Sequence, residues 1–147
     1  MAFSLNTPGN QGNVPAFADI LLAFKQGQPT VATLVSASGT ATVTGTQIAA
    51  GIFVHSGSAG AVASTTDTAA NILTALGTGV AVGQSFLLFY VNLNNTAGIV
   101  TVAAGTGVSL TGTLTIPINA VRVFVGTVTS ATTVAMNSAF SWSGAAA

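Results

Sequence analysis

The sequence predicts an all-β fold, a sandwich or barrel of roughly eight short strands carrying one or two short helices. Three observations carry that expectation. Runs rich in Val, Thr, Ile and Phe recur along the chain. Gly and Asn words punctuate them about every 8–12 residues. Only two stretches space their apolar residues as a helix does.

Residues 1–30 form a region apart, an N-terminal arm. Asn6-Thr7-Pro8-Gly9-Asn10-Gln11-Gly12-Asn13 is turn and loop chemistry. Beyond it, Phe17, Ile20, Leu21 and Phe24 fall at i, i+3, i+4 and i+7, one face of a helix. That helix is about two and a half turns long, too short to stand alone, and Gly27-Gln28-Pro29 ends it. Two readings are open: it closes one end of the domain's own core, or it packs on a neighbouring subunit.

From Thr30 onward the pattern is β. Strands are expected at 31–36, 40–44, 51–55 and 84–92, the last holding Phe86-Leu87-Leu88-Phe89-Tyr90-Val91 without a breaker. Asn94-Asn95-Thr96-Ala97-Gly98 turns the chain into 99–103, and Gly105-Thr106-Gly107 turns it again. Residues 108–116 alternate, with Val108, Leu110, Leu114 and Ile116 on one face and Ser109, Thr111, Thr113 and Thr115 on the other. Pro117 stops that run. Val121, Val123 and Val125 alternate with Arg122 and Phe124, and 132–136 closes the set.

One helix interrupts the strands. Thr66 or Asp67 is a suitable N-cap, 69–76 follows, and Gly77 sits where a helix stops. Ile72, Leu73 and Leu76 share a face that would plug one end of the sandwich. The β domain therefore spans 31–147, ending in a C-terminal tail with Phe140 and Trp142. A Trp in such a tail exposes a large apolar surface unless it is docked. Gly-Thr-Gly-Val at 77–80 and 105–108 and Thr-Gly-Thr at 44–46 and 111–113 share no common period, which argues against a solenoid.

Composition narrows the function. Only Asp19, Lys25, Asp67 and Arg122 carry formal charge, 3% of the chain, where a soluble domain typically has about 25%. Two cations cannot build a phosphate-binding stripe, so nucleic acid is excluded as a partner. Mean hydropathy is +0.75, yet no run approaches the ~20 apolar residues of a spanning helix, and no membrane is expected. Residues 1–13 lack the cation and apolar core of a signal peptide. With no Cys there is no disulfide scaffold or thiolate site. A net charge of zero removes the repulsion that keeps copies apart, which favours self-association.

The inventory for catalysis is equally thin. His55 is the sole histidine and cannot make a multi-histidine metal site; it reads as a satisfied surface or interface residue. No Gly-x-Ser-x-Gly elbow accompanies it. Asp67 reads as a helix cap, Lys25 as a partner of a helix C-terminus, and Arg122 as a donor to carbonyls or to an interface. No enzyme activity, cofactor or metal is expected. The candidate contact residues are instead apolar: Phe3, Leu5, Phe17, Ile20, Leu21, Phe24 and Trp142.

Residues 66–136 carry a recognisable style. Asp67-Thr68-Ala69-Ala70-Asn71-Ile72-Leu73, the Phe/Tyr strand, Asn94 to Gly98, Val100 to Val108, Leu114-Thr115-Ile116, Arg122 before Phe124 and Val128 to Val134 follow one another in order. The stretch, about half the chain, resembles the head decoration or cement proteins of tailed bacteriophages. The resemblance implies a jelly-roll-like β-sandwich that forms a homotrimer on the outer face of an icosahedral capsid, contacts the major capsid protein and braces neighbouring capsomers. The alternative is a phage spike, fibre or adhesin module that binds host-surface carbohydrate; Tyr90, set in an apolar run, and Trp142, set in the tail, make a poor sugar-stacking pair. An ice-binding array, suggested by Thr-x-Thr at 40–46 and 111–115, needs a regular repetition that the word offsets deny.

Overall fold

The computed structural model describes residues 30–35, 39–94 and 97–143; for 30–35 and for Trp142 it describes the backbone alone. The helix expected at 17–24 lies outside the described residues. Among the described residues strand dominates over helix, and the all-β class holds.

Among the described residues the elements run β1 (Thr30–Val35), β2 (Gly39–Val43), α1 (Gly45–Ala49), β3 (Gly51–Ser56), β4 (Val62–Thr66), α2 (Ala69–Leu76), β5 (Ser85–Asn92), β6 (Val100–Ala103), β7 (Val108–Thr111), β8 (Thr115–Ile116), β9 (Ala120–Val128) and β10 (Val134–Ser143). They form a large sheet, β1-β3-β5-β9-β10-β7, and a small one, β2-β4-β6-β8. The first six strands alternate between the sheets. Within each sheet they are parallel: β1 with β3 with β5, and β2 with β4 with β6. The chain thus winds as a coil, with α1 and α2 at the two returns from the small sheet to the large. Then β8 pairs antiparallel with β6, β9 with β5 and β10 with β9, while β7 runs parallel to β10 at the far edge.

Two sheets with two short helices match the sandwich expectation, but the pairing is mixed where a jelly roll is antiparallel. Parallel neighbours need a crossover, and the helices provide it. The coil's turns are unequal. Thr30 pairs with Gly51, but Ile52 pairs with Phe89, because α2 and residues 77–84 lengthen the second turn. No fixed period in the sequence could report such a coil.

The helices form for local reasons. Thr44 and Gln47 make a reciprocal capping box at α1, the S/T-x-x-E/Q pattern, which the turn-like Thr-Gly-Thr word concealed. At α2 the N-cap is Thr68, whose Oγ1 accepts from the Asn71 N–H at 3.3 Å, and Gly77 ends the helix at φ +105°. The cap is therefore one residue beyond Asp67. A Cβ on Gly45 would meet the Asn71 carbonyl oxygen at 2.5 Å and the Ile72 nitrogen at 2.9 Å, so glycine is what lets α1 lie against α2.

Three strand expectations change. Val62–Thr66 is a strand that its Ala, Ser and Thr content hid; Val62, Ser64 and Thr66 point inward. The alternating run 108–116 breaks at Gly112, φ +85°, and its ends join different sheets as β7 and β8. Its alternation survives because Val108 and Ile116 face one core. The expected tail is strand through Ser143, with Phe140 opposite Val123 and Trp142 opposite Val121 after a register shift between Ser138 and Phe140.

The core lies between the sheets. Phe53, Leu88, Tyr90, Phe124 and Met136 of the large sheet meet Val43, Val62, Val100, Val102 and Ile116 of the small one, with Ile48 of α1 and Ile72 of α2 in the same cluster.

Buried polar groups and candidate contact faces

His55 shares the inward face of β3 with Phe53 and is 0% exposed. The surface or interface position expected for it is therefore overturned by strand parity. Asn94 Nδ2 lies 2.7 Å from its Nδ1. Asn94 Oδ1 accepts from the Ser58 N–H at 2.9 Å, and Nδ2 also donates to the Gly98 carbonyl at 3.2 Å. Those bonds orient the amide so that Nδ1 accepts, which selects the neutral imidazole protonated on Nε2. Burial holds the His55 pKa below its ordinary value. Protonating Nδ1 sets one donor against another unless the amide turns over and forfeits Ser58 and Gly98.

Asn92 extends the cluster. Its Nδ2 is shared among the carbonyls of Gly98 at 2.9 Å and of Ile116 and Pro117 at 3.0 Å, and its Oδ1 accepts from the Asn94 N–H at 3.0 Å. The sequence placed Asn94 in a turn word and gave Asn92 no role. The available signal was parity: Leu88, Tyr90, Asn92 and Asn94 alternate, and all four are buried.

Asp67 serves two helices. Its Oδ2 accepts from the Gly45 N–H, the first residue of α1, at 2.8 Å; its Oδ1 accepts from the Thr68 N–H at 2.8 Å and from Asn71 Nδ2 at 2.7 Å. The carboxylate thus sits at the positive ends of both. The Asn71 amide and then the Gly45 N–H hold its pKa below 3.8, with burial opposing and Thr68 adding to the drop.

Tyr90 and Arg122 tie the sheets together. The Tyr90 hydroxyl donates to Ser64 Oγ at 2.8 Å, and its ring meets Phe53 edge-on at 4.8 Å and 74°. Burial pushes the phenol up to about 12 against the opposing Ser64 bond. Arg122 is 9% exposed on the inward face of β9. It donates through Nη1 to Ser138 Oγ at 3.2 Å and through Nη2 to the Thr115 carbonyl at 3.0 Å. Its Nε has no hydrogen-bond acceptor among the described residues.

The outward faces differ in kind. On the large sheet, Ile52, Phe89, Val123 and Phe140 stand in register across four strands, and Val54, Val91 and Val121 occupy the next row, with the Trp142 backbone paired beside Val121. Leu87 and Val125 begin a third. No charged residue falls in these rows. Phe140 is 53% and Leu87 38% exposed, Val123 only 1%. On the small sheet the outward registers read Thr40, Ala63, Thr101, Thr115 and Thr42, Thr65, Ala103. That face is wetted by hydroxyls and small methyls.

Of the contact residues expected from sequence, Phe3, Leu5, Phe17, Ile20, Leu21 and Phe24 lie outside the described residues, and Trp142 is placed only by its backbone in β10. Apart from Trp142, the residues aligned on the large sheet's outward face were not singled out. Their signal was the unbroken Phe86–Val91 run, since strands covered on both faces read as continuous apolar stretches. No group of three or more His, Asp or Glu able to hold a metal occurs among the described residues, and no helix among them is long and apolar enough to cross a membrane. Comparison with known families, with curated proteins and with solved structures returns no match.

Proposed function

We propose that this chain is a non-catalytic structural protein that acts through contact area, a decoration protein seated on the outer face of an icosahedral phage capsid. The observation that carries the reading is the fate of the reactive side chains. Among the described residues the titratable groups are His55, Asp67, Tyr90 and Arg122, and each is committed to hydrogen bonds that hold strands or helices together. The outward face of the small sheet, bearing Thr40, Thr42, Thr101 and Thr115 and no charge, suits broad uncharged contact. The phage-like style of residues 66–136 supplies the kind of assembly. A homotrimer that contacts the major capsid protein belongs to the same proposal, with the arm and Trp142 as its candidate contacts.

The test is reconstitution. Purified protein is added to capsids lacking it, and the pellet is quantified after sedimentation. Saturable binding at a fixed ratio to the major capsid protein is the expected result. Protein that stays in the supernatant at micromolar concentration would sink the reading, and retention on a host-surface polysaccharide instead would favour an adhesin.

A further inference from the structure

We infer that residues 17–24 of the same chain dock across the outward apolar rows of the large sheet, giving the molecule a third layer. The inference does not need the capsid reading, but it assigns residues 17–24 to this chain's own sheet and so leaves any contact with a neighbour to other residues. It begins with a mismatch between sequence and packing. Strands β5 and β9 read Phe86–Val91 and Val121–Val125 with Arg122 as their sole polar interruption, the pattern of strands covered on both faces. The small sheet covers only the inward one, where Leu88, Tyr90 and Phe124 lie.

The size of the patch selects the occupant. The two apolar rows span four strands about 4.8 Å apart and two positions about 7 Å apart along each strand. That is the footprint of one short helix, about 10 Å across and ~1.5 Å long per residue. It falls well below the ~800 Å² that a free partner typically covers. A free occupant of so small a patch must also offset its lost translational and rotational freedom. A tethered one does not, because a short linker holds it at an effective concentration on the order of millimolar.

The chain carries one matching segment at the right distance. Phe17, Ile20, Leu21 and Phe24 line one face at helical spacing. Five residues, 25–29, connect that segment to Thr30, where β1 begins at the edge of the large sheet. Five residues reach at most about 17 Å, and the middle of the face lies roughly 12 Å from β1 at the strand spacing. Val31 of β1 pairs with Ile52, so the linker enters level with the first apolar row.

The absence of native cysteine makes the test clean. Full-length protein carrying Ile20→Cys and Phe89→Cys is oxidised mildly beside a control pair, Ile20→Cys with Thr40→Cys on the opposite sheet. The expected result is a disulfide within one chain that forms about ten-fold or more faster in the first pair. Bonds formed only between chains, or equal rates in the two pairs, overturn the inference. A second readout avoids cysteine altogether. Trypsin has two sites, Lys25 beside the segment and Arg122 in the core. Ile20→Asp, on the same helical face but away from the scissile bond, should speed cleavage at Lys25 about ten-fold while Arg122 stays protected; an unchanged rate at Lys25 overturns the inference.

Discussion

At the scale of single residues, His55 is the group whose environment makes the sharpest claim. It is the only side chain in the molecule whose ordinary pKa, 6.5, lies between pH 5 and 8. Burial depresses that value in the folded state, so the unfolded chain binds the proton more readily. Stability linked to His55 is therefore complete above about pH 6.5 and is lost as pH falls through the depressed folded value. Denaturant melts across pH 5–8 should show a decline on the acid side that is absent from a His55→Gln variant. A wild-type curve flat to pH 5 would contradict the buried neutral imidazole. Truncation is a separate matter: His55→Ala leaves a cavity and an unpaired Asn94 donor, and should cost roughly 2–4 kcal/mol. His55 also shows where sequence reading fails. Its neighbours Asn94 and Ser58 are 39 and 3 positions away, and only the pairing of β3 with β5, His55 opposite Asn92, brings the cluster together.

At the scale of elements, one carboxylate organises the end of the sandwich that holds both helices. Asp67 accepts from the first residue of α1 and from the cap of α2, so its loss weakens two helix starts at once. Asp67→Ala should destabilise by about 1–3 kcal/mol, one to two ordinary caps. Its depressed pKa adds stability that is present above pH 3.8 and disappears as pH falls through the lower folded value, a window separate from that of His55. Gly45→Ala should cost at least as much, because its Cβ would press on backbone atoms of α2, which cannot rotate away as a side chain can. Equal melting points for Gly45→Ala and wild type would disprove the close approach of the helices. The helix 69–76 was legible from its cap chemistry and Gly77. The five-residue α1 was not, because a single turn has no periodicity to show, and only the Thr44–Gln47 box announces it. Strand β5 was the plainest of the strands, and β4 was hidden because its inward positions alternate Val with Ser and Thr.

At the scale of the whole molecule, the all-β class could be read from turn spacing; the strand number was read as about eight where the described residues hold ten, and the order of strands could not be read. Whether β3 pairs with β4 or with β5 depends on the crossover that α2 provides, and neither run carries a charge pattern that would choose. What composition does settle is the physics available to any partner. With two cations and two anions in the chain, and Asp67 and Arg122 committed to the fold, the proposed attachment to a capsid would have almost no ion pairs to draw on. Exposed pairs contribute only ~0–1 kcal/mol each in any case, whereas apolar burial contributes roughly 25 cal/mol per Å² before association costs. Salt shortens the screening length to about 3 Å at 1 M and leaves burial nearly untouched. Decorated particles should therefore retain this protein from low salt to molar NaCl, measured as the fraction sedimenting with the capsid at each step. If residues 1–24 form the contact with a neighbour, their removal releases the protein at every salt concentration. If they close the chain's own sheet, removal instead lowers the melting temperature and bares the Phe89 and Val91 rows to an apolar dye. Release by salt alone, with the truncated form still bound, would place the holding force in an electrostatic patch on the partner and would contradict a contact built from uncharged surface.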